Sequence, residues 1–207
     1  MSRLRYNRKH AIDTLISSCP KMAALSHEKG AFRLQVRSNT DLFTALANSI
    51  IFQQLSGKAA ATIYSRFEAL FENNTPLAAE AAKLSVQTLR SAGLSNNKAL
   101  SIIDLARQTC SGALPGPAKM SAMDDGTIME QLCQVRGIGP WTAQMHLIFS
   151  LGRPDVMPAS DLGIQKGVQL TYDLPDLPKP DRVLETTRHL SPYRSVASWY
   201  FWRAVDD

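Results

Sequence analysis

The sequence predicts an all-α protein. Apolar residues recur at helical spacing through most of the chain, capping residues and prolines mark where helices begin, and stretches rich in glycine and proline separate them. Only residues 31–37 alternate apolar and polar side chains and could form a short strand. A chain of 207 residues, 44% hydrophobic and 20% charged, is typical of a globular protein with one core or two small lobes.

In the first part of the chain, the residues that begin or interrupt the apolar pattern predict where the helices lie. The first begins after Asp41, a residue type that caps helices, and repeats apolar residues every four positions. Gly57 interrupts this pattern, and residues 59–71 continue as a helix. Residues 73–76 form a loop, from which Pro76 can open the next helix.

The later helices have clearer start signals. Asp124 or Asp125 caps a helix that ends near residue 134, and Pro140 suits the first position of the next, which ends at residue 150. Asp161 stands at the start of another helix, which ends near residue 172. The remaining helices are predicted over 84–92, 97–110, 181–190 and 193–202, with loops at 111–119, 135–139, 152–160 and 173–180.

Charge and cysteine content restrict the function classes. The net charge of +5 is a mild indication of an anionic partner. The three cysteines lack the spacing of a zinc site or an iron–sulfur cluster, which favours reduced thiols in a cytosolic setting. The basic residues 1–10 are either a flexible arm or a frayed terminus, and no apolar signal core follows them. The most apolar stretch, 42–55, is too short and too polar to span a bilayer, so no membrane association is expected.

The string LCQVRGIGPWTA at residues 132–143 places two glycines around one apolar residue between two helices. Gly137 and Gly139 allow backbone angles that other residues resist, and Ile138 can fill the space between the helices. The N–H groups at the start of the second helix lack helical partners. Together with the helix dipole they can bind a phosphate oxygen without reading base sequence. The alternative is an ordinary tight turn between two core helices.

The string LGRPDVMPASDLG at residues 151–163 is a loop rich in glycine and proline that ends in an aspartate at a helix start. A carboxylate fixed there can stabilise positive charge that develops in a transition state. The alternative for Asp161 is a role as a helix cap alone. Asp155, the other carboxylate of the loop, is expected to be a structural turn residue.

The string IIFQQLSGKA at residues 50–59 ends an apolar helix in two adjacent glutamines. Such glutamines would be half-buried, which is unusual at this kind of position. Either Gln53 and Gln54 cap and cross-link the helix end, or this turn contacts a ligand. Lys58 is a phosphate contact or a structural residue.

Over about residues 41–202, these strings resemble the signatures of the helix–hairpin–helix–GPD superfamily of DNA glycosylases. The resemblance implies a two-lobed helical fold with the active site in a cleft between the lobes. It also implies that the protein binds duplex DNA, extrudes a damaged base and cleaves its N-glycosidic bond. By the same resemblance Asp161 is the catalytic carboxylate, which stabilises positive charge on the sugar.

Three features are similar to the alkylpurine branch of this superfamily, 3-methyladenine DNA glycosylase II, in its compact form without an N-terminal β domain. Members that also cut the strand carry a lysine two residues after the second hairpin glycine, where this chain has Trp141, so no lyase activity is expected. The four-cysteine iron–sulfur motif of other branches is absent. The strings PASDLG at 158–163 and PYRSVASWYFW at 192–202 resemble this branch.

The resemblance assigns further roles. A pocket for a cationic 3-methyladenine or 7-methylguanine base would be walled by Trp141, Met145, Leu162 and Trp202, although core packing is the alternative for Trp202 and the expectation for Trp199. Gln54 would fill the gap that the extruded base leaves, with Leu55 and Ser56 beside it at the minor groove. The hairpin phosphate contacts would come from Gly137, Gly139, Trp141 and Thr142, and a structural Na⁺ or K⁺ would bind the carbonyls of Cys133, Val135 and Ile138.

Two residues depart from the pattern of close relatives: Ser160 stands where many have a second aspartate, and Ser56 where some have histidine.

The expected organisation is an N-terminal segment, 1–39, packed with the C-terminal helices, a helical lobe over 40–150 with the hairpin at about 125–150, and a final part over 151–207. The expected protein is a monomer without an organic cofactor, cytoplasmic in a prokaryote or nuclear in a eukaryote. The alternatives are a non-catalytic protein that binds abasic or distorted DNA, and a glycosylase with lyase activity.

Overall fold

The computed structural model describes residues 4–36 and 41–206. The all-α prediction is confirmed, because these residues form thirteen α-helices, two short 3₁₀ turns and no β-strand. In chain order the helices are α1 Arg8–Ser18, α2 Pro20–Lys29, α3 Leu42–Phe52, α4 Gly57–Glu68, α5 Ala78–Ala81, α6 Val86–Ser91, α7 Asn96–Ser111, α8 Pro117–Ala122, α9 Asp125–Cys133, α10 Pro140–Phe149, α11 Leu162–Tyr172, α12 Pro180–Thr187 and α13 Arg194–Val205. The 3₁₀ turns are Glu72–Asn74 and Arg188–Leu190.

The short strand considered for residues 31–37 does not form within 31–36, and position 37 lies outside the described residues. Phe32 and Leu34 are nevertheless buried, and the Phe32 ring packs edge-on against Trp199 with 5.1 Å between ring centroids. The alternating pattern therefore reflects an extended segment with one buried side rather than a paired strand.

Aspartates begin three of the helices, as predicted. The side chains of Asp41, Asp124 and Asp161 each accept the backbone N–H three residues later, at 3.1, 2.9 and 3.0 Å. Each bond satisfies one of the N–H groups that have no partner inside the helix. Asp124 rather than Asp125 is the cap of α9.

Other boundaries differ from the predictions. The sequence patterns did not predict α1, which Asn7 caps, or α2, which has Pro20 in its first turn. Pro76 does not open α5, because the following residue, Leu77, still has an extended backbone with φ −107° and ψ 135°. Helix α8 begins inside the segment predicted as a loop at 111–119.

The chain divides into two compact units. The first comprises Met1–Ser38 and Gln144–Asp207. Within it α11 packs against α13, and both contact α2. A Cβ at Gly167 would lie 2.2 Å from the carbonyl oxygen of Phe201, so the glycine permits the close approach of α11 and α13. This approach brings the start of α11 near the end of α13.

The second unit comprises Asn39–Ala143. Within it α7 contacts α3, α5 and α6, and α3 also contacts α4. The largest fully buried side chains of this unit include Phe43, Phe67, Leu89, Leu105 and Ile128. Across residues 4–36 and 41–206, none of the helices has the length and apolar character needed to cross a bilayer.

His146 on α10 is a buried histidine in the first unit. Its side chain is buried, and burial lowers its pKa from 6.5 to about 4 because the charged imidazolium would lose its hydration. Among the described residues, none forms a hydrogen bond with its Nε2 atom. The imidazole is therefore neutral in the folded protein at neutral pH.

Replacing Gly167 with Ala is expected to lower the free energy of unfolding by about 1–3 kcal/mol, the usual cost of overpacking a core. The added Cβ would overlap the Phe201 carbonyl group. Urea unfolding followed by circular dichroism measures the change. Gly57→Ala is the matched control, because the Cβ position at this first residue of α4 is open. Equal unfolding midpoints for the two variants would contradict the close approach of α11 and α13.

Stability should fall as the pH is lowered from 6.5 towards 4, because in this window the unfolded chain binds a proton at His146 and the folded protein does not. The contribution is about 1.4 kcal/mol per pH unit. The His146→Leu variant should therefore show a flatter dependence of the free energy of unfolding on pH between these limits. Urea titrations at a series of pH values test this, and an identical slope in both proteins would refute it.

Candidate functional site

The hairpin between α9 and α10 is a tight turn supported by α7. Gly137 has φ 78°, in the left-handed region, and a Cβ there would lie 2.5 Å from the Oγ atom of Ser101. Both observations require glycine at this position. The N–H of Arg136 donates to Oδ2 of Asp104 at 2.8 Å, which fixes the hairpin to α7. Ile138 is buried, as its predicted packing role requires.

The turn between α3 and α4 is linked to this hairpin by Gln53. Its Nε2 donates to the carbonyl oxygen of Gly137 at 3.0 Å and to Oγ1 of Thr142 at 3.2 Å. The cross-linking role considered for the glutamine pair therefore belongs to Gln53. The Thr142 side chain is buried, so its hydroxyl serves this internal contact.

The next three residues of the turn are exposed. Gln54 has φ 56°, a left-handed conformation that only a few per cent of non-glycine residues adopt. Leu55 is 39% exposed. Oγ of Ser56 accepts the N–H of Ala59 and caps α4. The turn thus presents Gln54 and Leu55 outward, which suits the predicted contact with the minor groove, and that contact stays a prediction.

Asp161 is fixed at the start of α11 in the first unit. Its Oδ1 accepts the N–H of Ile164 at 3.0 Å and the indole N–H of Trp202 at 3.0 Å. The residue is half-buried, and its backbone N–H donates to the carbonyl of Pro158 at 2.9 Å. The carboxylate therefore lies at the positive end of the helix dipole, and the donors Ile164 and Trp202 both orient it. The hydrogen bond that caps α11 therefore also fixes the position of the carboxylate charge.

The Trp202 indole is held from two sides. Its ring stacks on Phe149, with 5.7 Å between centroids and 29° between planes, while its N–H points to Asp161. A Cβ at Gly163 would lie 3.0 Å from both Asp161 Oδ1 and Trp202 Cδ1. The glycine therefore leaves the space in which carboxylate and indole meet.

Asp155 is a structural residue of the loop before α11, in agreement with its predicted role. Its carboxylate accepts Nε and Nη2 of Arg194 at 2.8 and 2.9 Å, the Arg194 backbone N–H at 3.1 Å and the Ser191 hydroxyl at 2.8 Å. Burial alone would raise the pKa of Asp155, but the hydrogen bonds from Arg194 and Ser191 lower it below its usual value. The ion pair ties this loop to the start of α13.

The other predicted pocket residues lie near helix starts. Trp141 is the second residue of α10 and 42% exposed, and Leu162 is the first residue of α11 and 54% exposed. Met145, further along α10, is half-buried. Apolar side chains with this much exposed surface are common at contacts with ligands, although single ones also occur elsewhere. Their assignment to a base pocket stays a prediction.

Several residues that support the hairpin, the α3–α4 turn or the Asp161 carboxylate were not singled out from the sequence. Lys98, Asp104 and Phe149 act through tertiary contacts, which leave no local pattern. The glycines at positions 163 and 167 could have been found, since two glycines four residues apart inside a helix indicate close packing. Within the described part of the chain, no group of three or more His, Cys, Asp or Glu side chains could hold a metal ion.

Comparison with known proteins identifies relatives over most of the chain. A model of the HhH-GPD superfamily of base excision DNA repair proteins matches residues 47–192. DNA-3-methyladenine glycosylase 1 of Schizosaccharomyces pombe is 36% identical over 162 residues, which are 78% of this chain and 71% of that protein. YfjP of Bacillus subtilis is 35% identical over 171 residues, which are 80% of this chain but only 59% of that protein.

A similar structure has also been solved. The 3-methyladenine DNA glycosylase of Schizosaccharomyces pombe, in complex with abasic DNA, superimposes with a TM-score of 0.85 and 32% sequence identity. The match covers 93% of this chain and 95% of that one.

Proposed function

The chain belongs to the HhH-GPD superfamily of base excision DNA repair proteins, and on that premise we propose that it is a monofunctional DNA glycosylase for alkylated purines. It hydrolyses the N-glycosidic bond of 3-methyladenine or 7-methylguanine type bases in duplex DNA and starts base excision repair. The observation that carries this proposal is the Asp161 carboxylate, held at the start of α11 by the Trp202 indole.

The proposed reaction separates the base from the sugar with the bonding electrons leaving on the base. Positive charge develops on the sugar, and the fixed carboxylate of Asp161 stabilises it electrostatically. Water then adds to C1′ and loses a proton, which gives free base and an abasic site. An alkylated purine is cationic before it leaves, so it is a good leaving group and electrostatic help of this kind is sufficient.

The proposed base pocket is aromatic and apolar. The face of a Trp ring attracts a cation by about 0.5–2 kcal/mol, depending on how dry the site is. We assign this contact to Trp141 and Trp202, with Met145 and Leu162 as apolar walls. Trp141 also stands where a strand-cutting relative would have its Schiff-base lysine, so the enzyme releases the base without cutting the strand.

DNA is bound through backbone contacts that carry no sequence information. Gly139 immediately precedes α10 and Trp141 is the second residue of this helix, where the helix dipole favours a phosphate oxygen. Gly137 shapes the turn, and Thr142 contributes its backbone N–H, since its side chain is buried. Gln54 fills the gap left by the extruded base, with Leu55 and Ser56 beside it.

A monovalent cation at the hairpin completes the proposed DNA-binding element. The carbonyl oxygens of Cys133, Val135 and Ile138 would hold it. The Val135 carbonyl also accepts the N–H of Ile138 at 3.0 Å, and since a carbonyl has two lone pairs, this bond is compatible with a cation ligand. The ion would add positive charge near the phosphate.

We further propose a monomer that acts on the chromosome, in the cytoplasm of a prokaryote or the nucleus of a eukaryote.

The rival function is a non-catalytic protein that binds abasic or distorted DNA. Such a protein needs the hairpin and the exposed turn, but it has no use for a carboxylate oriented by an indole N–H. The Asp161–Trp202 hydrogen bond therefore favours the enzyme.

Incubation with methylated duplex DNA tests the proposed function. Free alkylpurines should appear in the supernatant, and strand breaks should appear only after alkali treatment.

In Asp161→Asn the release rate should fall about 10²-fold or more, because the charge is lost at the reacting sugar. Asparagine also caps helices and can accept both N–H donors, so folding and binding to abasic-site DNA should persist. Turnover at the original rate in this variant would refute the assignment, and breaks before alkali would indicate a lyase.

Replacing Trp202 with Phe should slow base release about tenfold, since the hydrogen bond from a neutral donor to the charged carboxylate of Asp161 is lost while an aromatic ring remains. The matched control is Trp199→Phe on the same helix. That ring packs on Phe32 and Tyr200, so release should be nearly unchanged. Single-turnover release of 7-methylguanine measures both. Equal effects of the two substitutions would mean that Trp202 contributes only packing.

A further inference from the structure

The turn that presents Gln54 is strained and must be held by its surroundings. The left-handed region is unfavourable for a residue with a Cβ, and Gln54 has φ 56°. The turn also follows the C-terminus of α3, where backbone carbonyls have no helical donor. Something must supply donors to these carbonyls if the turn is to keep its shape.

Lys98 supplies them. Its ammonium group donates to the carbonyl oxygens of Ile51 at 2.8 Å and of Gln53 at 2.7 Å, immediately before Gln54. The side chain is half-buried, and burial lowers the pKa of Lys98 because the charge has lost part of its hydration. A cation at this place also opposes the negative end of the α3 dipole. Both bonds are charge-assisted and therefore stronger than bonds between neutral groups.

The same face of α7 supports the hairpin. Lys98, Ser101 and Asp104 recur at intervals of three residues, and side chains at this spacing lie along one side of a helix. Ser101 lies against Gly137, and Asp104 accepts the N–H of Arg136 at 2.8 Å. Helix α7 thus sets the position of the turn and of the hairpin together, and the Gln53 amide links one to the other.

We propose that Lys98 is a positioning residue for base extrusion, which fixes the Gln54 turn in register with the phosphate-binding hairpin through α7 and Gln53. This inference rests on the proposed glycosylase function. Lys98 touches neither the base nor the sugar in this scheme. It acts through Gln54, so its loss should impair the extrusion of a paired base more than the chemical step.

Two substrates separate these steps. One is duplex DNA with 7-methylguanine opposite cytosine, and the other carries the same lesion in a one-nucleotide bulge, where the base is already unpaired and extrusion costs less. In Lys98→Met, which keeps the apolar stem, single-turnover release from the paired substrate should fall about ten- to hundredfold. Release from the bulge should fall much less. Lys83→Met, at an exposed lysine of the same unit, is the control for loss of charge and should leave both rates unchanged.

A second variant covers the case in which Lys98→Met does not fold. Gln53→Leu removes the link to Gly137 and Thr142 and should show the same preference for the bulged substrate. Equal slowing on both substrates, or no slowing on either, would overturn the positioning role while wild-type base release still upholds the glycosylase. Absence of release by the wild-type protein from both substrates would instead overturn the proposed function.

Discussion

The hydrogen bond between the Trp202 indole and the Asp161 carboxylate is the interaction on which the proposed chemistry depends. A carboxylate that stabilises a transition state must already be oriented before the charge develops, because reorientation would cost part of the energy it supplies. Here the helix start fixes Oδ1 through Ile164, and the indole fixes it from a second direction. The glycines at 163 and 167 make this possible by letting α13 come close to α11.

The same principle applies to the proposed DNA contacts of the second unit. The hairpin and the α3–α4 turn both present exposed residues, Gly137 in one and Gln54 in the other. Helix α7 holds one through Asp104 and the other through Lys98, and Gln53 joins them. Such shared support would keep the spacing constant between the proposed phosphate contact and the proposed intercalating side chain, as the extrusion of a single nucleotide requires.

The sequence predicted those features that depend on residues close together in the chain. Helix caps such as Asp124 and Asp161, and the glycine turn at Gly137, follow from backbone chemistry within a few residues. Family resemblance then assigned Asp161 its proposed catalytic role. The contacts of Lys98 and Phe149 could not be predicted, because their partners are distant in the sequence. For Gln53 and Gln54 the motif was visible, but only tertiary contacts show that Gln53 faces inward and Gln54 outward.

The position of the indole also bears on how such an enzyme selects its substrate. Tryptophan has a single hydrogen-bond donor, and Trp202 donates it to Asp161. Only its ring face remains for a base, and the proposed neighbours Leu162 and Met145 have no strong donor or acceptor to offer. Recognition by ring faces and apolar walls favours a cationic, flat base over a neutral one. It makes few hydrogen bonds to the donors and acceptors along the edge of the base. Selectivity would then arise mainly in the chemical step, because a cationic alkylpurine leaves readily whereas an unmodified purine does not. A site built in this way suits several alkylated purines rather than one, and it needs a fixed negative charge more than a close-fitting pocket.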